Sequence, residues 1–136
     1  MNYDPVFDKW HEECGVFGVY DRSVDVARYV YWGLFALQHR GQESAGIAVT
    51  DGHDVELKKG MGLLTEAIKE LPSLPSHMGT GHVRYSTTGS NNPRNIQPLV
   101  IHYQGGQIAV AHNGNLTNAL AIRKRLEADG SIFQTT

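Results

Sequence analysis

One cysteine, Cys14, stands among the 136 residues, so no internal disulfide can form. A lone thiol fits a reducing compartment, with the cytosol (a cytoplasmic location) as the default. Neither sign of charge prevails: 12 Lys and Arg against 14 Asp and Glu give a formal net charge of -2. That leaves no basic footprint for nucleic acid or for an anionic membrane, and neither is expected as a partner. No run approaches the ~18 consecutive apolar residues of a membrane span. Residues 1–13, MNYDPVFDKWHEE, lack the basic start and apolar centre of a secretory signal. Internal repeats and low-complexity tracts are also missing. What is there is ordinary globular material, 40% hydrophobic and 19% charged, enough for one domain or part of one.

Residues 14–20 (CGVFGVY) read as a short apolar strand that begins abruptly after His11-Glu12-Glu13. Over residues 25–37 the positions Val26, Tyr29, Val30, Gly33, Leu34 and Leu37 recur at helical spacing. That helix is expected to end at Gln38-His39-Arg40-Gly41, with Gly41 as its C-cap. Strands at 45–50 and 55–59 are joined by Asp51-Gly52, a hairpin signal. A short helix at 64–71 is stopped by Pro72 and Pro75. Further strands are expected at 81–87, 99–103 and 107–111, the last two linked through Gly105-Gly106. Helix returns at 116–128 with Gly130 just beyond, and 131–135 reads as one more strand. Strands interleaved with few helices and often hairpin-linked predict an α+β layered fold with mixed or antiparallel sheets. The chain stops within that last strand, which reads as a fragment, since the edge would have nothing to cover it.

A lone cysteine is most simply a buried, inert thiol. Cys14, however, opens an apolar strand, precedes Gly15 and follows a short leader that looks removable. Cleavage before Cys14 would give it a free α-amine with a pKa of about 7.7–8.0. Such an amine can take the thiol proton, so one residue would supply both nucleophile and base. Asn113-Gly114 is expected in a tight turn after a strand. There a side-chain amide and a backbone N–H suit an oxyanion hole, although the dipeptide is also a common hairpin turn. Arg84 could clamp a carboxylate in bidentate fashion, or make an ordinary surface ion pair. Arg40, in the helix-terminal turn, could support a site or stabilise a helix C-terminus. Seven histidines are present, but His39, His82 and His112 lack the close spacing of zinc ligands and have only one thiol to join them. His82 and His112 are expected to be satisfied within their motif turns, with no metal site in the chain. Gly60-Met61-Gly62 and Gly79-Thr80-Gly81 do not make a phosphate-binding fingerprint ahead of a helix.

Four blocks, Cys14-Gly-Val-Phe-Gly, Gln38-His-Arg-Gly-Gln-Glu-Ser-Ala-Gly-Ile, Gly81-His-Val-Arg-Tyr-Ser-Thr-Thr-Gly and Ala111-His-Asn-Gly-Asn-Leu, in this order and spacing, resemble the class II glutamine amidotransferases. These are N-terminal nucleophile enzymes. The resemblance covers most of residues 14–116, and its second block is closest to the branch that opens purine biosynthesis. It implies an αββα four-layer sandwich, present here only in part: a propeptide at 1–13 and the front of a glutaminase domain at 14–136, with a phosphoribosyltransferase domain absent. It implies Cys14 as nucleophile, Asn113 and Gly114 as oxyanion donors, and Arg84 with Thr87 on the glutamine carboxylate, Arg40 supporting. Glutamine would be the substrate, and ammonia would pass to phosphoribosyl pyrophosphate on the missing domain.

No cofactor is implied within this chain. Magnesium and, in some propeptide-bearing relatives, a 4Fe-4S cluster belong to the full-length enzymes, which are expected to be homo-oligomers, and one cysteine cannot hold such a cluster. The acidic residue that holds the glutamine α-amine in the family would fall just past Thr136, so the short chain is expected to be weak or inactive alone. Two rivals stand beside this reading. One is the glutaminase domain of another class II amidotransferase, making glucosamine 6-phosphate or glutamate. The other is an unprocessed, inactive fragment acting as an interaction module.

Overall fold

The computed structural model describes residues 14–85, 92–114 and 116–133. Strands β1 (Gly15–Tyr20), β2 (Ser44–Thr50), β3 (Val55–Met61) and β4 (Met78–Arg84) form one sheet in the order β1-β4-β2-β3, with every neighbouring pair antiparallel. Because side chains alternate along a strand, the register sorts the sheet into two faces. Phe17, Gly81 and Ile47 lie in one row, and Val19, Gly79 and Val49 in the next. Helix α1 (Val26–Ala36) packs on that face through Val26, Ala27, Val30 and Leu34, all buried. Asp25 caps it by accepting from the Arg28 N–H at 3.1 Å, which satisfies one of the donors a helix start leaves unpaired. The Phe17 ring fills the space over Gly33, where any side chain would collide with it. Burial of each large aliphatic residue in this cluster is worth about 1.5–3 kcal/mol. It is the main core among the described residues.

The opposite face carries Val16, His82 and Gly46 in one row, with Ser44 opposite Arg84 at the edge of the next. It is covered by the segment around Ile96 and Gln97. Lys59 Nζ donates to the Ile96 carbonyl at 3.0 Å, and a side chain on Gly46 would strike the Gln97 carbonyl. A second antiparallel pair, β5 (Leu99–Tyr103) and β6 (Gly106–Val110), follows. A cleft of 640 Å³ lies between its Gln107, Ile108 and Ala109 and the far ends of β1, β2 and β4. Helix α3 (Ala119–Ala128) comes last, with no buried residue. Helix, sheet and second sheet thus appear in the expected α+β sequence. No helix among the described residues is long and apolar enough to cross a membrane.

Several local expectations need correction. α1 ends at Ala36, and Gly41 instead follows a 3-10 turn at Gln38–Arg40 in extended conformation, so it does not cap α1. The β2–β3 connection spans residues 51–54, as the expected strand bounds left it, with the Asp51 carboxylate accepting from the N–H groups of His53 and Asp54 at 2.8 and 2.9 Å and Gly52 at φ +99°. The helix expected at 64–71 is a single turn, α2 (Leu64–Ala67). β4 begins at Met78, earlier than expected, because its glycines pack under α1 and do not break the strand. Tyr29, on the expected core face of α1, is 54% exposed. Residues 131–133 are not strand. Ser131 instead closes α3, its N–H donating to Leu126 at 2.8 Å beside Gly130 at φ +90°, a Schellman ending. Residues 134–136 lie outside the described residues.

Candidate functional site

The sheet brings three of the four motif blocks to one end, and a hydrogen bond joins the fourth. Cys14 stands one step beyond the Gly15–Val83 pair, so antiparallel pairing sets it against the end of β4. Its Sγ lies 3.4 Å from both the N–H and the carbonyl of Tyr85. The thiol is part-exposed and free. Its own carbonyl is gripped from two sides. Asn113 Nδ2 donates to it at 3.1 Å, across 99 residues of sequence, and Arg40 Nε lies at 3.5 Å.

Arg40 gets there because Gly41 lies against the end of β4. A β-carbon on Gly41 would sit 2.6 Å from the backbone carbons of Val83 and Arg84. No other residue allows so close a pass. Gln38 fixes the same turn: its amide nitrogen donates to the Gly41 carbonyl, and its Oε1 accepts the Leu64 N–H at 2.7 Å.

Arg84 is held at two of its nitrogens. Nε is 3.6 Å from Glu43 Oε2, with the two side chains 13% and 19% exposed, and Nη1 donates to the Asn95 carbonyl at 3.2 Å. Arg84 does make an ion pair, but a largely buried one rather than an ordinary exposed one. Glu43 is tied to the same strand by its N–H, which donates to the Arg84 carbonyl at 3.1 Å.

Residues 111–114, which carry Asn113 and Gly114, are irregular and mostly exposed, and the tight turn expected there is not seen among the described residues. β6 ends at Val110, and the stretch is steadied by the His112 N–H donating to Gln97 Oε1 at 2.7 Å. Among the described residues nothing lies within 4 Å of where a Gly114 side chain would begin. Thr87 lies outside the described residues, as does the 1–13 leader.

His82 departs from expectation. It is 1% exposed, yet neither ring nitrogen has a hydrogen-bond partner among the described residues. Burial pushes its pKa down to about 4, helped by the nearby charges of His112 and Arg84 and opposed by the His112 backbone. It is therefore a neutral imidazole under the site. Among the described residues no three His, Cys, Asp or Glu side chains come together as metal ligands.

Of the residues singled out in the sequence, the structure brings Arg40 and Asn113 to the Cys14 carbonyl, and Arg84 directly precedes Tyr85, whose backbone meets Cys14 Sγ. The sequence reading did not single out Glu43, Gln97 or Tyr85. Glu43 had a signal: a carboxylate directly before an apolar strand, inside a motif block. Gln97 had none, because its role depends on where the chain folds back over Gly46.

The sequence profile described as glutamine amidotransferases class-II matches residues 39–131. The chain is 48% identical over 126 residues to the amidophosphoribosyltransferase of Methanocaldococcus jannaschii, covering 90% of this chain and 27% of that protein. It is 47% identical over 129 residues to the Bacillus subtilis enzyme of the same name, covering 93% and 27%. Among solved structures, glutamine phosphoribosylpyrophosphate amidotransferase from B. subtilis, complexed with ADP and GMP, superposes with a TM-score of 0.80 at 44% identity. That match covers 89% of this chain and 26% of the other. A structure described as the allosteric regulatory enzyme of purine biosynthesis gives 0.79 at 45% identity, covering 88% and 26%. The chain thus spans about a quarter of the length of these relatives. With the motif blocks converging on one sheet end and the family profile matching across most of its length, this chain belongs to the class II glutamine amidotransferases.

Proposed function

We propose that this chain is the front of a glutaminase domain that releases ammonia from glutamine through a thioester on Cys14. The observation that carries the reading is the Asn113 side chain, brought across 99 residues to within 3.1 Å of the Cys14 carbonyl. Removal of residues 1–13 frees the Cys14 amine, which takes the thiol proton. The thiolate attacks the side-chain amide carbon of glutamine, giving a tetrahedral oxyanion. An amide nitrogen has two hydrogens; one of Asn113 holds the Cys14 carbonyl, and the other, with the Gly114 N–H, serves the oxyanion. The C–N bond breaks, and the leaving nitrogen departs as ammonia with the proton held by the Cys14 amine. Water then cleaves the thioester to glutamate. Arg84, assisted by Thr87, takes the α-carboxylate, and Arg40 holds the Cys14 backbone still. Preorganisation of this kind is worth about 10²–10³ in rate per oxyanion donor.

In the complete protein the ammonia passes to phosphoribosyl pyrophosphate on a following phosphoribosyltransferase domain, yielding phosphoribosylamine in the cytoplasm. The relatives named amidophosphoribosyltransferase, at 47–48% identity, favour this acceptor over glucosamine 6-phosphate or glutamate synthesis. Magnesium and an iron–sulfur cluster belong with the regions those relatives have beyond this one. The described residues bring no donor set together for either, and no step above uses a metal.

The test is intact mass after exposure to a glutamine-mimicking diazoketone. Loss of the mass of residues 1–13 and one adduct on Cys14, blocked by excess glutamine, is the expected result. A full-length protein that keeps the leader and takes no adduct would end the glutaminase reading.

A further inference from the structure

The Glu43–Arg84 pair is the feature that the motif reading leaves unused. A guanidinium offers five N–H donors in a fixed fork and can take a carboxylate on its Nε side or at its Nη1/Nη2 end. In this structure the Nε side faces Glu43 Oε2 at 3.6 Å, and Nη1 gives one hydrogen to the Asn95 carbonyl at 3.2 Å. Among the described residues, the Nη1/Nη2 end is the part of the guanidinium left to meet an incoming carboxylate. Glu43 does not float. Its N–H donates to the Arg84 carbonyl at 3.1 Å, and its carbonyl accepts the Gly62 N–H at 2.8 Å. It is therefore stitched to β4 on one side and to the end of β3 on the other. Its Oε2 is fully buried and has no hydrogen bond of normal geometry among the described residues. A buried carboxylate oxygen with only a guanidinium nearby is costly as a stability device. That cost is explained if the pair serves orientation.

We propose that Glu43 is a positioning residue. It holds the Arg84 guanidinium by its Nε side so that the Nη1/Nη2 end faces the α-carboxylate of glutamine. The inference rests on the reading of Arg84 as the carboxylate clamp. It goes beyond that reading in assigning Glu43 a role and in fixing which edge of the guanidinium meets the substrate. Glu43 acts through Arg84 and touches no reacting atom.

The test is glutamine hydrolysis by the full-length protein carrying Glu43→Met, which keeps length and volume but removes the acceptor, with Glu43→Ala as a second variant should the first not fold. Glu43→Gln is the rescue, because its Oε1 can still accept from Nε. The acceptor-less variant should raise the KM for glutamine roughly 10–100-fold, the penalty of a misplaced binding group, with kcat moved much less. Glu43→Gln should stay within about threefold of the unaltered protein, since only geometry is asked of it. Alkylation of Cys14 by iodoacetamide, which has no α-carboxylate, should be unchanged in all variants. An unchanged KM in Glu43→Met, or iodoacetamide alkylation slowed in parallel with glutamine turnover, overturns the proposal. Arg84→Ala separates the two levels. If it raises KM while Glu43→Met does not, the clamp stands and the positioning role is wrong. If it leaves KM unchanged, the clamp reading itself fails and takes this inference with it.

Discussion

On the helix side of the four-stranded sheet stand Phe17, Ile47, Val49 and Val83, packed against Val26, Val30 and Leu34 of α1. On the other side, one residue away along the same strands, stand Ser44, His82 and Arg84, with Cys14 and Asn113 at the sheet end. The first face is apolar, with Ile47, Val83, Val30 and Leu34 wholly buried. The second buries polar groups only partly satisfied among the described residues, where His82 lacks a partner for either ring nitrogen and Glu43 for Oε2. One sheet therefore divides its labour by alternation. The helix face supplies stability, and the opposite face and the sheet end carry the candidate site, including buried groups that cost stability. A substitution should reveal which face it lies on by what it damages.

The largest effect is expected at Cys14. Cys14→Ala should lower glutamine hydrolysis by at least about 10⁴-fold, the scale of losing a nucleophile, with the thermal midpoint little changed. Residual turnover within tenfold of the unaltered protein would show that the sheet end is not the reaction centre. Next is Asn113→Ala, which should cost about 10²–10³ in kcat and leave the unfolding midpoint in urea near its original value.

Leu34→Ala tests the other face. It should cost about 2–5 kcal/mol of unfolding free energy, read by urea denaturation, while the activity of the folded fraction stays close to normal. Equal loss of specific activity would blur the division.

The smallest expected effect concerns His82. Its pKa is about 4 when folded against an ordinary 6.5, so between those values the unfolded chain binds a proton the folded chain refuses. Stability should be full above about pH 6.5 and fall as pH drops toward 4, by up to roughly 3 kcal/mol. His82→Phe should flatten that part of the stability–pH curve. An unchanged curve would mean the imidazole titrates normally in the folded protein.

Much of the helix face was legible in the sequence. Val26, Val30 and Leu34 at helical spacing and the alternating strands announce it, because a buried apolar surface must repeat with the period of its element. The motif blocks likewise announced Cys14, Arg84 and Asn113, because their chemistry depends on residue type. Element ends were less legible. The helix expected at 64–71 shrank to one turn, and β4 started at Met78, because contacts with α1 outweighed the local tendency of glycine to break a strand. Gly41 looked like a helix cap and turned out to be a clearance residue, since the backbone that crowds it belongs to β4, more than forty positions away.

What the sequence determined by itself is therefore the list of reactive groups and the period that separates core from surface. Both are properties of single residues and their immediate spacing. What only the tertiary structure decided is which groups meet. Asn113 reaches Cys14, Arg40 lies against the Cys14 carbonyl, Glu43 takes the Nε side of Arg84, and His82 is buried with no partner among the described residues. Those contacts follow from antiparallel register and from the chain folding back over Gly46, and the length of a hydrogen bond across 99 residues is set by packing that no local pattern encodes.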